Sequence, residues 1–184
     1  MRARKEGFPA RSIYKLEEIQ KTFRILKKGD RVLDLGCSPG SWLLFASRAV
    51  GDQGLVVGVD ITPVSLQLPS NVRLVAHDAL NGDASFFETI GGPFDVVLSD
   101  MAPSTTGSKF VDAHRSLELS QSALATAFRV LVAGGVFVCK VFHGPDFKSF
   151  SDQASALFGR VAHVKPRSTR RASKEIYLVG LEKK

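Results

Sequence analysis

Short apolar runs alternate with segments of helical spacing along nearly all of this chain, and that alternation leaves few folds open. The runs are Arg31–Leu35, Leu55–Asp60, Val72–His77, Phe94–Ser99 and Gly135–Val141. Ser41–Val50, Ala84–Ile90 and Asp112–Leu131 carry helical patterning between them, the last with Leu117, Leu124 and Leu131 on one face. Asp146–Phe158 reads as a further helix, and Val161–Val164 and Glu175–Leu181 as two closing strands joined by a basic loop. Near-continuous apolar strands linked through helices predict a parallel sheet covered on both faces, an α/β architecture. The closing strands have no helix between them and are expected to pair antiparallel. Ahead of the first strand, Ile13, Leu16, Ile19, Phe23 and Leu26 recur at helical spacing before Gly29. The expectation is one domain over residues 1–184, with a basic helix of about 12–26 packed on it.

The first strand runs into LDLGCSPGSW, Leu33 to Trp42. A glycine turn between a strand and a helix commonly cradles a pyrophosphate on backbone N–H groups. This turn lacks GxGxxG and the GK[ST] of a P-loop, which argues against a nucleotide-dependent oxidoreductase or an NTPase. Acids stand where a phosphate would be repelled: Asp34, Asp60, Asp78 and Asp100 lie at or just beyond the carboxyl ends of the first four strands. In an open α/β sheet those ends line one crevice. Convergent carboxylates suit a cationic ligand rich in hydroxyl and N–H donors and free of phosphate. S-adenosyl-L-methionine has that chemistry. Asp60 would accept from the ribose hydroxyls and Asp78 from the adenine amino group, while Gly36 and Gly40 let the backbone approach the methionine part.

Charge points to the second partner. The net charge is +7. Basic residues concentrate at the two ends: Arg2 to Arg31, and Lys165, Arg167, Arg170, Arg171 and Lys174. Ends that meet in space would form a positive face for an anionic polymer. No apolar run approaches the roughly 20 residues that span a bilayer. No secretory h-region follows the basic N-terminus. Cys37 and Cys139 form no CxxC pair, so no metal site is expected and both are read as reduced, buried residues of a cytoplasmic protein.

Lys140 interrupts the apolar run Gly135–Phe142, where a lysine must be paired or reach out to solvent. With Lys15, Asp100 in SDMAP and Glu175 in SKEIYLVG, it belongs to a set of motifs that includes Arg11–Leu16, DLGCSPGSW, Ala133–Gly135 and KVFHG. On these motifs the chain resembles the FtsJ-type ribosomal RNA 2′-O-ribose methyltransferases over essentially its whole length. The resemblance implies a Rossmann-like methyltransferase fold with a seven-stranded, mostly parallel sheet in the order 3-2-1-4-5-7-6. It maps Lys15, Asp100, Lys140 and Glu175 onto a catalytic Lys-Asp-Lys-Glu tetrad. Gly40, Trp42, Asp60, Asp78 and Asp100 map onto cofactor-binding positions, and Asp34, Gly36 and Ser41, in and beside the turn, complete the candidate set. Ser41 stands where a second glycine is common.

The implied reaction is S-adenosylmethionine-dependent 2′-O-methylation of a ribose, a uridine of large-subunit (23S) ribosomal RNA, with the RNA free or in the assembled subunit and the enzyme a monomer. Lys140 would bind the acceptor hydroxyl and take its proton. Desolvation and a second cation, Lys15, would favour its neutral amine, whereas Asp100 would favour the ammonium and fix its orientation. Glu175 would hold Lys15. His143 is an alternative base, while His77, His114 and His163 read as structural or surface residues. The competing reading is an RNA-binding module that keeps the fold without turnover.

Overall fold

The computed structural model describes residues 2–170 and 173–184. The elements, in chain order, are α1 (Arg2–Lys5), α2 (Ile13–Phe23), β1 (Arg31–Leu35), α3 (Ser41–Val50), β2 (Leu55–Asp60), β3 (Val72–Ala76), α4 (Ala84–Ile90), β4 (Phe94–Ser99), α5 (Lys109–Val130), β5 (Leu131–Phe142), α6 (Phe147–Leu157), β6 (Phe158–Val164) and β7 (Glu175–Lys183). The seven strands form one sheet in the order β3-β2-β1-β4-β5-β7-β6. The first five strands run parallel, and β7 inserts antiparallel between β5 and β6. The expected order and the antiparallel closing pair are both present.

Two apolar layers cover the sheet. On one face Leu33, Leu35, Val57, Val97 and Phe137 pack with Phe86 of α4, Leu124 of α5 and Phe150 of α6. On the other, Val32, Val56, Val96, Val138 and Tyr177 pack with Leu16 and Ile19 of α2 and Trp42 and Leu43 of α3. Helix α2 is therefore part of the core.

Several ends differ from the sequence reading. Helix α2 stops at Phe23 because Arg24 takes a left-handed conformation, φ 51°. That turn lets Ile25 and Leu26 leave the helix and bury in the core. The Gln20 amide replaces the lost helical bonds, accepting from Leu26 N and donating to Leu26 O, both at 2.9 Å. Strand β5 begins at Leu131, directly after α5, and its pairing with β4 shifts register between Phe94 and Val96. Leu131, buried and paired with Phe94, starts the strand ahead of the Gly135 expected from sequence.

Candidate active site

The carboxyl ends of β1, β2 and β4 open into a cavity of about 570 Å³, whose lining includes Gly36, Ser38, Asp60, Asp78, Asp100 and Met101. The turn above β1 spends its own backbone donors. Gly36 N and Cys37 N donate to Val59 O at 2.8 and 3.2 Å, and Gly40 N donates to Cys37 O at 2.8 Å. Ser38 N donates to Asp60 Oδ2 at 2.9 Å. With those four N–H groups bonded within the protein, the turn offers no phosphate cradle. Gly36 has φ +72°, and a Cβ there would overlap the Met101 side chain. Glycine is required for that close approach.

Asp60 and Asp78 each hold a turn and also face the cavity. Asp60 Oδ1 accepts Thr62 N at 2.7 Å, and Asp78 accepts Leu80 N at 3.0 Å and the Asn81 amide at 2.9 Å. A carboxylate oxygen has lone pairs left after one such bond. The cavity thus presents acceptors to a ligand of hydroxyl and N–H donors, as S-adenosylmethionine is, and the residues present fit that group. Asp60→Ala should raise the cofactor dissociation constant by about 10–100-fold, for loss of hydrogen bonds of about 1.5–3 kcal/mol to a charged acceptor. Asp60→Asn, which keeps an acceptor oxygen, should lose less. Unchanged calorimetric affinity in both folded variants would make Asp60 a turn residue alone.

Asp34 sits beneath the cavity and not in its lining. It is 1% exposed, and Oδ2 has no hydrogen-bond partner among the described residues. Burial, then the charges of Asp100 and Asp60, push its carboxyl well above the ordinary 3.8. The folded chain therefore holds a proton that the unfolded chain releases as pH rises above that value, so Asp34 lowers stability progressively up to its own folded pKa. Glu175 acts in the opposite sense: burial raises its carboxyl, but the hydrogen bond and charge of Lys15 outweigh it and hold it low. Subtracting the stability of Asp34→Asn from that of the cofactor-free wild type isolates the first effect. The difference should fall as pH rises from about 4 to 7, and a flat difference in denaturant titrations would mean that Asp34 is ionised in the fold.

Ser41 and Trp42 also lie away from the cavity lining. Ser41 Oγ donates to Ala10 O at 3.1 Å and accepts from Ala10 N at 2.8 Å. Trp42 Nε1 donates to Ser12 O at 3.0 Å. These two side chains fasten the segment before α2 onto α3. Gly40, at φ +104°, gives passage to the loop beyond β2, where a Cβ would stand 2.7 Å from Leu66 Cδ1.

The four residues of the candidate tetrad come from α2, β5, β7 and the position just after β4. Lys15 of α2 pairs with Glu175 at the start of β7 at 2.7 Å. Lys140 of β5 is 6% exposed and donates to Asp100 twice, to the backbone O at 2.5 Å and to Oδ1 at 3.0 Å. Lys140 is seated from behind by α5: Ser120 Oγ donates to Lys140 O at 2.9 Å, and Ser116 Oγ accepts Phe142 N at 3.0 Å. A residue that sequence reasoning missed joins the two pairs. Tyr177 of β7 lies opposite Lys140 in the strand register, is fully buried, and donates its hydroxyl to Asp100 Oδ1 at 2.6 Å. Lys15 Nζ lies 5.7 Å from the centre of the same ring, whose other neighbour is Trp42 at 5.9 Å. The available signal was its place two residues after Glu175, on the same strand face. His143 is exposed, against Phe147, and His163 meets Ser151 Oγ at 2.8 Å.

A 3-2-1-4-5-7-6 sheet with an acid-lined cleft at its carboxyl ends defines the class: a Rossmann-like methyltransferase. The chain belongs to the FtsJ-like methyltransferase family, which it matches over residues 8–183. It is 51% identical to the ribosomal RNA large subunit methyltransferase E of Desulfatibacillum aliphaticivorans, over 100% of this chain and 88% of that protein. Identity to the protein of the same description from Desulforapulum autotrophicum is 49%, over 100% and 90%. A solved structure described as a ribosomal RNA methyltransferase from Plasmodium falciparum superposes with a TM-score of 0.81 at 26% identity, covering 96% of this chain and 98% of that one. A fibrillarin/Nop5p complex chain shares the fold at a TM-score of 0.67 and 18% identity, over 92% and 82%.

Proposed function

We propose that this protein methylates a ribose 2′-hydroxyl of large-subunit ribosomal RNA, with S-adenosyl-L-methionine as donor. The observation that carries the reading is a buried lysine held by a carboxylate at the edge of an acid-lined cleft, with a second lysine–carboxylate pair beside it. The cofactor, when bound, supplies a methyl group on a sulfonium. Asp60 and Asp78 would hold its hydroxyls and amino group, and the turn at Gly36 its amino-acid part. Asp100 lies in the cavity lining and also grips Lys140, so it ties the donor site to the acceptor site. Asp100 O and Oδ1 take up two N–H groups of Lys140, which leaves the third position on Nζ for the ribose hydroxyl. In the neutral amine that position is a lone pair, able to receive the hydroxyl proton as the oxygen attacks. Lys15, fixed by Glu175, adds positive charge near the oxygen that becomes anionic. Holding acceptor and donor in line supplies much of the remaining acceleration.

The direct test is methyl transfer from labelled cofactor to large-subunit particles from a deletion strain, with the ribose mapped afterwards. Binding without transfer would instead make the chain an RNA-binding module. RNA recognition should rest on the basic ends, which Arg11 connects by donating to Ser168 O at 2.9 Å. Arg171, one of the cations expected to dock RNA, lies outside the described residues. Replacing Arg167, Arg170 and Arg171 with Ala should weaken RNA binding at low salt and reduce the salt slope by up to about 3, one for each lost phosphate contact. Cofactor affinity should stay constant. Unchanged RNA affinity at low salt would refute the positive docking face. Among the described residues no helix is long and apolar enough to cross a membrane.

A further inference from the structure

Beside the tetrad lies a second cavity of about 400 Å³, lined by Arg11, Lys15, Arg170, Ser173 and Glu175. Three cations face one carboxylate, and that carboxylate already pairs with Lys15. Arg11 and Arg170 are exposed like charges on separate chain segments that line one cavity, so an attachment must hold those segments together. Glu18 does so. It lies one helical turn after Lys15 on α2, so both side chains leave the same face. Its carboxylate grips two consecutive backbone N–H groups of the loop between β6 and β7: Arg167 N at 2.7 Å on Oε2, and Ser168 N at 3.0 Å on Oε1. Arg11 completes the grip at Ser168 O. Within the loop, Thr169 N donates to Pro166 O at 2.9 Å, which carries the chain directly into Arg170.

We infer that Glu18 is a positioning residue for the RNA substrate: it fixes the 165–170 segment so that Arg170 and Arg11 together seat a phosphodiester beside the target ribose. The inference rests on the RNA-methylation reading and names how that substrate is held. A bidentate carboxylate is suited to the task because it binds backbone donors and does not engage the Arg170 side chain, which stays available for phosphate. It also partly neutralises a surface whose charges would otherwise push the segment away. Burial raises the Glu18 carboxyl, but hydrogen bonds from Ser168 and Arg167 outweigh this and hold it below the usual range, so the grip persists at neutral pH.

Glu18→Gln tests this with little change in volume. The amide keeps one acceptor oxygen and turns an NH₂ group against the other backbone N–H. Three quantities are compared with wild type: tryptic cleavage after Arg167 and Arg170 under native conditions, steady-state kinetics on large-subunit particles, and cofactor affinity by calorimetry. Cleavage should accelerate about tenfold as the segment opens locally. KM for the particles should rise about tenfold, while kcat and the cofactor dissociation constant stay within about twofold. Unchanged cleavage would show that Glu18 does not hold the segment, and faster cleavage at constant KM would show that its placement does not matter to RNA. Either result overturns the inference while leaving the enzyme reading intact. A wild-type chain that transfers no methyl group to the particles would overturn the substrate reading and the positioning role with it.

Discussion

Lys140→Ala should lower single-turnover methyl transfer by about 10²–10⁴-fold, the range for a positioned general base. Cofactor affinity should hardly change, because the Lys140 amine is directed to Asp100 and not to the turn at Gly36 or to Asp60. The substitution also leaves the Asp100 carboxylate without its cation, at 16% side-chain exposure. Removing one partner of a buried pair can cost about 3–5 kcal/mol. The Tyr177 hydroxyl still donates to Asp100, so the loss should fall towards the lower end, and rates must be read well below the melting temperature. Lys140→Arg separates two roles. Guanidinium keeps the charge but does not give up its proton in this range. If charge alone mattered, the arginine variant would retain most of the rate. The expected result is a rate close to that of the alanine variant. Near-wild-type single turnover in Lys140→Arg would exclude Lys140 as the base and send the proton to Asp100, His143 or water.

Truncation of Tyr177 should damage the fold severely. Its ring is fully buried between the α2–α3 layer and the sheet, and its hydroxyl holds Asp100. Tyr177→Ala should cost about 3–5 kcal/mol, as for other buried aromatic truncations. For a chain of this size each kcal/mol is about 2–4 °C in melting temperature. Tyr177→Phe keeps the packing and removes one hydrogen bond to a charged group, worth about 1.5–3 kcal/mol. The two variants therefore divide packing from the bond to Asp100. Denaturant unfolding of both, with wild type, reads the division directly. A Tyr177→Ala loss below about 1 kcal/mol, less than the transfer cost of one buried side chain, would contradict the packing described for this strand.

The alternation of apolar runs and helical spacing determined the α/β architecture, because each run's length and period are local properties of the chain. The antiparallel pairing of β6 with β7 followed from the missing helix between them. The acids after the strands were legible for a related reason: the carboxyl ends of parallel strands must share one edge of the sheet. So Asp60, Asp78 and Asp100 could be placed together from sequence. Resemblance, and not periodicity, supplied the strand order and the candidate tetrad.

Tertiary structure decided the rest. Asp34 is one position short of the strand end, and only the packed sheet shows it sealed beneath the cavity without a partner for Oδ2. Ser41 and Trp42 belong to a helix whose polar atoms are claimed by the segment before α2, a contact over some 30 residues that no local pattern encodes. Tyr177 reads as an ordinary strand aromatic until β7 inserts between β5 and β6 and brings its hydroxyl to Asp100. Glu18 reads as a solvated helix charge until the chain returns 149 residues later to lay two backbone N–H groups on it. Periodicity reports which face of an element is buried. Which distant polar atom meets a given side chain depends on the order of strands in the sheet, and that order is fixed only when the whole chain packs.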